Sequence, residues 1–366
     1  MNTSPLILLA AGGTGGHLFP AEALGVELIR RGLRVRLATD SRALRYSGLF
    51  SKETIEVVPS ATVRSRAPWL LAHTGLMLAA GSAVSLNLMR RLRPAAVIGF
   101  GGYPTLPPVL AARLSGVPCL IHEANAVLGR ANRFLSRHVS AIATSLPGVL
   151  DRDPALADKT TTVGTPMRPE ILKAAALPYV SPQSTGPFRL LVIGGSQGAR
   201  IMADVVPGAI ERLEPSLWNR LMLTQQVREE DMPRVSAIYG RLNIKAELAP
   251  FFSDLPARLA SNDLVISRSG AGTVAELAAI GRPSILVPLP GSIDQDQFAN
   301  AGVLAQANGA LRIVQADFTS DRLAAEISAL AAERARLAAM AAAARSVGRL
   351  DGAERLADLV IKVAGI

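Results

Sequence analysis

The chain has 366 residues, of which 49% are hydrophobic, and this length exceeds what one compact core usually supports, so we expect two globular domains. A single cysteine, Cys119, excludes a disulfide framework, and four dispersed histidines argue against a zinc cluster. The net charge of +10 comes from scattered arginines without aromatic interleaving, which disfavours nucleic acid as a partner. An anionic membrane surface or a phosphate-bearing substrate suits this charge better.

The first predicted elements are a buried strand at residues 5–11 and a helix ending near residue 31, joined by the turn Gly12-Gly-Thr-Gly-Gly-His17. No basic residue precedes the strand, so it is not typical of a signal peptide. A glycine turn before a helix favours phosphate, because the first N–H groups of the helix have no partner within it.

The same turn fits neither of two common nucleotide motifs. Leu18 stands where the dinucleotide fingerprint needs its third glycine, and no Gly-Lys-Ser/Thr of a P-loop is present. Asp40 ends the next predicted strand, where a ribose-binding acid would stand, so nicotinamide binding remains an alternative. His17 is a candidate general base because imidazole titrates near neutral pH; the alternative is a histidine that makes only a local hydrogen bond.

The segment from Trp69 to Met89 is apolar and long enough to span a bilayer. Arginines flank it on both sides: Arg64, Arg66, Arg90, Arg91 and Arg93. Three interpretations are open, namely a transmembrane span, a buried helix pair, and a partly exposed surface that docks on a bilayer. We favour docking through Trp69, Leu70 and Leu76, because strand and helix patterns continue on both sides and a span would divide one domain.

Two further predicted strands, at residues 95–100 and 118–121, are followed by polar side chains. The carboxyl ends of parallel strands share one edge of a sheet. We therefore expect Tyr103, His122, Glu123 and Asn125 to converge with His17.

Residues 178–187 contain three prolines with Ser, Gln and Gly, a composition typical of a linker. The strand predicted at residues 188–193 leads into Gly194-Gly-Ser-Gln-Gly-Ala-Arg200, which repeats the opening pattern of the chain. The repetition predicts two similar Rossmann-like halves.

A strand at residues 263–267, the turn Arg268-Ser-Gly-Ala-Gly-Thr273 and an apolar helix form another phosphate-type site. Ser269, Gly270, Gly272 and Thr273 leave room for close approach of a ligand. Glu276, about one turn into the helix, can accept two hydrogen bonds from a ribose diol. Together they predict a nucleoside diphosphate, and an ordinary turn with a solvated glutamate is the alternative.

Two other features of the second half bear on this ligand. Phe251 and Phe252 follow a predicted strand at residues 244–248 and are placed to face a planar base. Asp294-Gln-Asp296 resembles the D-x-D pair that some nucleotide-sugar enzymes use for a metal. Because this half already has two anion-binding turns, we interpret the loop as a contact for sugar hydroxyls and predict neither a metal nor a cofactor.

Six motifs, in order along nearly the whole chain, resemble those of the MurG family of bacterial N-acetylglucosaminyltransferases of peptidoglycan synthesis. They are Gly12-Gly-Thr-Gly-Gly-His17, Gly101-Gly-Tyr103, His122-Glu123 with Asn125, Gly164-Thr-Pro-Met-Arg168, Gly194-Gly-Ser-Gln-Gly198, and Arg268-Ser-Gly270 with Glu276. The resemblance implies an α/β protein of GT-B fold, in which two Rossmann-like domains face each other across a cleft. It implies an acceptor- and membrane-side domain at residues 1–164, to which a C-terminal helix at about 347–366 returns, and a UDP-sugar-binding domain at residues 165–346.

The resemblance further implies an inverting transfer from UDP-N-acetylglucosamine to the 4-hydroxyl of the N-acetylmuramoyl unit of lipid I, giving lipid II. It places the enzyme peripherally on the cytoplasmic face of the bacterial inner membrane, with an anionic lipid surface and other cell-wall synthesis proteins as partners. No metal and no cofactor are implied.

Residue roles follow from the same resemblance. His17 is the first candidate for the catalytic base and Glu123 the second. The donor UDP-N-acetylglucosamine is assigned to Thr14, Gly15, Gly16, Asn125, Arg168, Ser196, Gln197, Phe252, Ser269, Gly270, Gly272, Thr273, Glu276, Asp296, Gln297 and Asn300. The acceptor is assigned to Gly13, Tyr103 and Asn132.

Two other functions are compatible with these patterns. A UDP-N-acetylglucosamine 2-epimerase shares the architecture and the donor, and it would form the epimer without any acceptor. A membrane-associated sugar-nucleotide-binding protein without catalysis would bind UDP and transfer nothing.

Overall fold

The computed structural model describes residues 4–12, 15–41, 50–61, 68–151, 153–195 and 198–366. The chain divides into two compact units: unit 1 comprises Met1–Arg168 and Leu350–Ile366, and unit 2 comprises Pro169–Arg349. The stretch 178–187 belongs to unit 2, so the prediction of an interdomain linker there is wrong. It is held in place because the Tyr179 hydroxyl donates to the Asp263 carbonyl at 3.0 Å and the Tyr179 ring lies 5.2 Å from the Arg282 guanidinium.

Unit 1 is built around a parallel sheet. Within the described residues its strands are β1 (Leu6–Ala10), β2 (Arg34–Thr39), β3 (Ile55–Val57), β4 (Ala96–Gly99), β5 (Cys119–Glu123), β6 (Ala141–Thr144) and β7 (Thr160–Thr162), in the order β3-β2-β1-β4-β5-β6-β7. Its helices are α1 (Gly15–Arg30), α2 (Pro68–Leu92), α3 (Leu106–Leu114), α4 (Arg130–Leu135), α5 (Pro154–Ala157) and, from the end of the chain, α15 (Gly352–Ala364).

Unit 2 repeats this architecture. Its described strands are β8 (Phe188–Ile193), β9 (Leu221–Gln226), β10 (Ala246–Ala249), β11 (Leu264–Ser267), β12 (Ser284–Leu286) and β13 (Ala310–Arg312), in the order β10-β9-β8-β11-β12-β13. Its helices are α6 (Pro169–Ala175), α7 (Arg200–Glu211), α8 (Pro215–Trp218), α9 (Met232–Arg241), α10 (Leu255–Ser261), α11 (Ala271–Ile280), α12 (Asp296–Gln306), α13 (Ser320–Ala332) and α14 (Arg334–Val347).

The strands form because short apolar runs can be buried on both faces of a parallel sheet. In β1, Ile7 and Leu9 point into one core while Leu8 and Ala10 point into the other, as the two-residue period of a strand requires. Every strand pair among the described residues of both sheets is parallel, for example Ile7 against Val35 in unit 1 and Leu190 against Leu223 in unit 2. The predicted pair of doubly wound Rossmann-like domains is confirmed.

Helix α15 completes unit 1. Leu356, Ala357 and Val360 are fully buried in the core that also contains Ile7 and Leu9 of β1. Arg31 at the end of α1 donates from Nη1 to Asp358 Oδ1 at 2.5 Å. The predicted return of the C-terminal helix to the first domain is therefore confirmed.

Helix α2 contains the segment from Trp69 to Met89, for which the sequence left open a transmembrane span, a buried helix pair and a membrane-docking surface. It is one helix, packed along α3, and it exposes 72% of Trp69, 40% of Leu70 and 70% of Leu76. Among the helices of the described residues, none combines the length and the hydropathy needed to cross a bilayer. Arg64 and Arg66 lie outside the described residues.

Candidate functional site

Each sheet reverses its strand order at one point. In unit 1 the first strand, β1, lies between β2 and β4, and in unit 2 the first strand, β8, lies between β9 and β11. Ligands of such sheets bind beyond the carboxyl ends of the strands at this switch point, because the connections leave on opposite faces there and open a crevice. The turns after β1, β4, β8 and β11 are therefore the candidate sites.

In unit 1 the His17 ring lies at the switch point. A methyl group on Gly12 would lie 3.1 Å from its Nδ1, and one on Gly101 would lie 3.3 Å from its Nε2. A methyl group on Gly102 would lie slightly farther from the ring, at 3.5 Å from its Cε1. The Gly12 N–H donates to the Gly101 carbonyl at 3.3 Å, which joins the two turns. The missing side chains of three glycines thus make the space that the imidazole occupies.

The carboxylate of Glu123, the last residue of β5, accepts four hydrogen bonds. Its Oε1 accepts hydrogen bonds from the backbone N–H and the side-chain amide of Asn125, both at 2.9 Å. Its Oε2 accepts from the Gly129 N–H and from Asn132 Nδ2, also at 2.9 Å. The carboxylate is 3% exposed. The arrangement closes the loop 124–129 around the carboxylate and fixes Asn125.

His122 does not join this group at the crevice, and the expectation that it would converge there is wrong. Its side chain is fully buried, with Nε2 3.2 Å from both the Gly164 carbonyl and the Ser145 hydroxyl. Burial lowers the pKa of His122 to about 4, against a smaller opposing effect of the Gly164 carbonyl. Residues of a strand alternate between faces, so His122 enters the core while Glu123 takes the other direction.

The remaining unit 1 candidates are dispersed around the same edge. Tyr103 is half-buried and opens the 3-10 turn Tyr103–Thr105, and Asn132 is buried with its Nδ2 also bonded to the His122 carbonyl at 3.0 Å. The Arg168 guanidinium lies 3.8 Å from the centre of the Phe19 ring. Gly15 is buried and Gly16 exposed at the start of α1. Gly13 and Thr14 lie outside the described residues.

In unit 2 the turn between β11 and α11 is open. Gly270 precedes α11 in extended conformation, and the first helical bond runs from the Val274 N–H to the Gly270 carbonyl at 3.0 Å. The N–H groups of Ala271, Gly272 and Thr273 therefore point beyond the helix start. Methyl groups added at Gly270 and Gly272 would meet no atom of the described residues within 4 Å. This end of α11 can receive an anion.

The second turn of unit 2 follows β8. Gly195, with φ +88°, also faces open space among the described residues, whereas Gly194 is closely packed because a methyl group there would lie 2.1 Å from the Ala199 nitrogen. Ser196 and Gln197 lie outside the described residues. Glu276 is half-buried on α11, about one turn in from the open end.

The loop before α12 is tied to the turn before α11. The Ser269 hydroxyl donates to the Gln297 carbonyl at 2.7 Å, and Asn300 Nδ2 donates to the Ser269 carbonyl at 3.2 Å. Gln297 accepts from the Leu289 N–H through Oε1 at 3.0 Å, which leaves its amide nitrogen as the donor end. Asp296 Oδ1 accepts from the Gln297 N–H at 2.7 Å. Ser269 and Asn300 are thus buried connectors between two loops.

The two adjacent phenylalanines differ in exposure. Phe252 is 7% exposed, and the Arg258 guanidinium lies 4.4 Å from its ring centre. Phe251 is 65% exposed. Of the two rings predicted to face a planar base, the accessible one is therefore Phe251, whereas the family resemblance assigned only Phe252 to the donor.

Arg268 has a position that the sequence did not indicate. It is buried, and its Nη1 donates to the carbonyls of Val287 and Pro288 at 3.1 and 3.0 Å while its Nη2 donates to Gln315 at 2.6 Å. The only hint of this role in the sequence was that an arginine directly follows a predicted buried strand. It holds the start of the loop that carries Gln297.

The described residues contain no group of three or more His, Cys, Asp or Glu side chains arranged to hold a metal ion. Asp294 and Gln295 both adopt the left-handed backbone conformation, with φ 54° and 55°. This conformation is unfavourable for residues other than glycine, so the loop before α12 stores strain beside the candidate site.

Residues 7–144 match the N-terminal domain of glycosyltransferase family 28, and residues 189–356 match the C-terminal domain of that family. A protein of a Bradyrhizobium strain, BTAi1, is 79% identical over 365 residues, with full coverage of both chains. That protein carries the name UDP-N-acetylglucosamine–N-acetylmuramyl-(pentapeptide) pyrophosphoryl-undecaprenol N-acetylglucosamine transferase.

Two solved structures are similar over nearly the whole chain. The MurG of Acinetobacter baumannii is 29% identical, with a TM-score of 0.78 and coverage of 98% of this chain and 99% of that one. The UDP-GlcNAc 2-epimerase of Neisseria meningitidis, bound to UDP-GlcNAc, is 10% identical, with a TM-score of 0.67 and coverage of 98% and 100%. The second likeness concerns the fold alone.

Proposed function

This chain belongs to glycosyltransferase family 28 and is an N-acetylglucosaminyltransferase of GT-B fold, and we propose that it acts on lipid I. It moves N-acetylglucosamine from UDP-N-acetylglucosamine to the 4-hydroxyl of the N-acetylmuramoyl unit and gives lipid II, a precursor of peptidoglycan. The observation that carries this proposal is the 79% identity, over full length, to a relative named for that reaction.

The donor is assigned to unit 2. The open N–H groups at the start of α11 and the partial positive charge of the helix suit the diphosphate, and Gly195, Gly270 and Gly272 leave space for it. Glu276 takes the ribose hydroxyls. The exposed Phe251 ring and the backbone at Phe252 suit the uracil, and the amide of Gln297 suits a sugar hydroxyl.

His17 is assigned as the general base. The acceptor hydroxyl is a weak nucleophile, and a base within hydrogen-bond reach must take its proton as it attacks the anomeric carbon from the face opposite UDP. The attack inverts that carbon. Departing UDP gains negative charge, which the N–H groups of α11 stabilise; removing one such donor from a dry site costs about 3 kcal/mol.

Glu123 is the weaker candidate for the base, because its carboxylate accepts four hydrogen bonds from the loop 124–129 and Asn132. A carboxylate so engaged serves to hold Asn125 in place. We therefore assign Glu123 a positioning role and assign proton abstraction to His17.

A transfer assay tests the function. Labelled UDP-N-acetylglucosamine and a short-chain lipid I analogue should give a disaccharide product, at a rate that a chelator does not change. Incubation with the donor alone should give no epimer. Epimer formation without acceptor, or UDP binding without any transfer, would replace the proposal with one of the two alternatives.

Attachment to the membrane is assigned to α2. Along this helix Trp69, Leu76 and Val84 are exposed at helical spacing, with exposed alanines between them, and Arg90 and Arg91 follow at its end. A contiguous exposed apolar stripe beside cations suits an anionic lipid surface. The enzyme then acts peripherally at the cytoplasmic face of the inner membrane, where other cell-wall synthesis proteins are its expected partners.

Vesicle binding tests this assignment. Changing Trp69, Leu70 and Leu76 to serine should weaken binding to anionic vesicles about tenfold or more while a water-soluble acceptor analogue is processed at the normal rate. The matched control is Met222→Ser, since Met222 of unit 2 is 53% exposed on a strand. Undiminished vesicle binding by the triple variant would exclude α2 as the docking surface.

A further inference from the structure

Gln226 connects two loops of unit 2. It is the last residue of β9 and is 7% exposed. Its Oε1 accepts a hydrogen bond from the Gly194 N–H at 2.9 Å, and its Nε2 donates to the Pro250 carbonyl at 3.0 Å. Both ends of one amide are therefore engaged, each by the backbone of a different loop.

The two partners of Gln226 begin the loops assigned to the two ends of the donor nucleotide. Gly194 opens the turn after β8, and Pro250 follows β10 and precedes Phe251 and Phe252. Strand β9 lies between β8 and β10 in the sheet. The side chain at its carboxyl end is thus placed to reach both neighbouring loops at once.

We propose that Gln226 is a positioning residue that sets the spacing between the diphosphate turn and the base loop, so that a uridine diphosphate is bound as one rigid unit. This inference rests on the donor site proposed above. The diphosphate and the base are joined through ribose, so the gain from binding both depends on how well the two loops keep the matching distance. An amide bonded at both ends has little freedom to let that distance vary.

The neighbouring Gln225 provides a matched comparison. It is fully buried on the opposite face of β9, where its Oε1 accepts from the Tyr239 hydroxyl at 2.5 Å and its Nε2 donates to the Met202 carbonyl at 3.3 Å. Both partners of Gln225 belong to residues that are buried in the core of unit 2, Tyr239 on α9 and Met202 in the first turn of α7. A change at Gln225 alters core packing and leaves both hydrogen bonds of Gln226 to Gly194 and Pro250 in place.

The test uses the full-length enzyme with Gln226→Met, which keeps the shape of the side chain and removes both hydrogen bonds. We expect the Kd for UDP to rise about tenfold, and the KM for the donor with it, while kcat changes about twofold or less. The binding of uridine and of inorganic pyrophosphate, measured separately by competition against labelled UDP, should each weaken about twofold or less, because each contacts only one of the two loops that Gln226 joins.

Two further variants distinguish an effect on loop spacing from a loss of folding. Gln226→Glu keeps the acceptor for the Gly194 N–H and loses the donor to the Pro250 carbonyl, so the preference for UDP over CDP should fall while pyrophosphate binding is retained. Gln225→Met should lower the Tm and leave the Kd for UDP within about twofold of the wild type.

The inference is overturned if Gln226→Met binds UDP like the wild type. It is also overturned if uridine and pyrophosphate weaken as much as UDP, since that pattern means that the loops have collapsed. Glu276→Ala is measured in parallel. If Glu276→Ala weakens UDP binding and Gln226→Met does not, only this inference fails; if neither does, the proposed donor site fails as well.

Discussion

The switch points of the two units use the same strand order for different purposes. In unit 1 the glycines of the turns after β1 and β4 are packed against the His17 ring. In unit 2 Gly195, Gly270 and Gly272 face open space among the described residues. The absence of a side chain thus makes room for a protein group in unit 1, and in unit 2 it leaves the space to which we assign the ligand.

The distribution of histidines follows the same division. All four histidines of the chain, His17, His73, His122 and His138, stand in residues 1–168. Unit 2 places backbone N–H groups and amides at its strand ends. In the proposed function, one Rossmann-like framework carries proton transfer and its repeat carries anion binding, and four changes can test this division.

The largest effect is expected from His17→Ala. Turnover with a water-soluble acceptor should fall about 1,000-fold, because the proton acceptor is lost. The Kd for UDP should stay within about twofold of the wild type, since UDP is assigned to unit 2. His73→Ala, at an exposed position of α2, is the control. A nearly normal turnover would remove His17 from the role.

Glu276→Ala tests the other side of the comparison. Loss of a charged hydrogen bond to ribose should weaken UDP binding by about 1.5–3 kcal/mol, measured by calorimetry. Binding of inorganic pyrophosphate should be unchanged, because the N–H groups of α11 remain. Unchanged affinity for UDP would contradict the assignment of this carboxylate.

Acid should destabilise unit 1 through His122. Its pKa is about 4 when folded, below the ordinary value of 6.5, so the unfolded chain binds a proton that the folded chain resists. The free energy of unfolding is therefore highest above pH 6.5 and decreases as the pH falls towards 4. At pH 5 the decrease caused by His122 is about 2 kcal/mol. Denaturant titrations across this range measure it.

Two variants sharpen the acid prediction. His122→Gln should be less stable at pH 7 and should lose less stability between pH 6.5 and 4, whereas His138→Gln, at an exposed position, should follow the wild type. An equally steep acid loss in His122→Gln would assign the effect to other groups.

The smallest effect is expected from Gly101→Ala. Its φ is +94°, and the added methyl group would lie 3.2 Å from Cδ2 of His17. Gly116→Ala is the matched control, because Gly116 has a φ of +70° and a methyl group added there would meet no atom of the described residues within 4 Å. Both should lose about 1 kcal/mol of stability, and only Gly101→Ala should lose turnover, by about tenfold. Equal turnover of the two variants would show that the ring position is not set by Gly101.

Much of the fold was accessible from the sequence, because apolar runs followed by glycine turns specify strand, turn and helix locally. The apolar run of β1 and the repeated turn at Gly194 sufficed to predict two Rossmann-like units. The prediction of a linker at residues 178–187 was wrong because it rested on composition, and the presence of proline and serine does not reveal that Tyr179 packs on Arg282. Whether a loop-like segment is held by tertiary contacts depends on residues distant in sequence.

The candidate site was less accessible. The glycine turns and Glu276 were evident from the chain, because their chemistry depends on local spacing. The burial of His122 and the choice between Phe251 and Phe252 depend on which face of a strand or loop meets the core. The connecting roles of Arg268 and Gln226 could not be predicted, because the sequence does not show which carbonyl groups lie beside these side chains.

The packing of α15 has a consequence for synthesis on the ribosome. Unit 2 is continuous in sequence and can complete its core while the chain is still growing, whereas unit 1 lacks Leu356, Ala357 and Val360 until residues 350–366 emerge. The half made first is therefore finished last. Helix α1, whose first turn carries His17, gains its packing against α15 only after residues 350–366 have been synthesised.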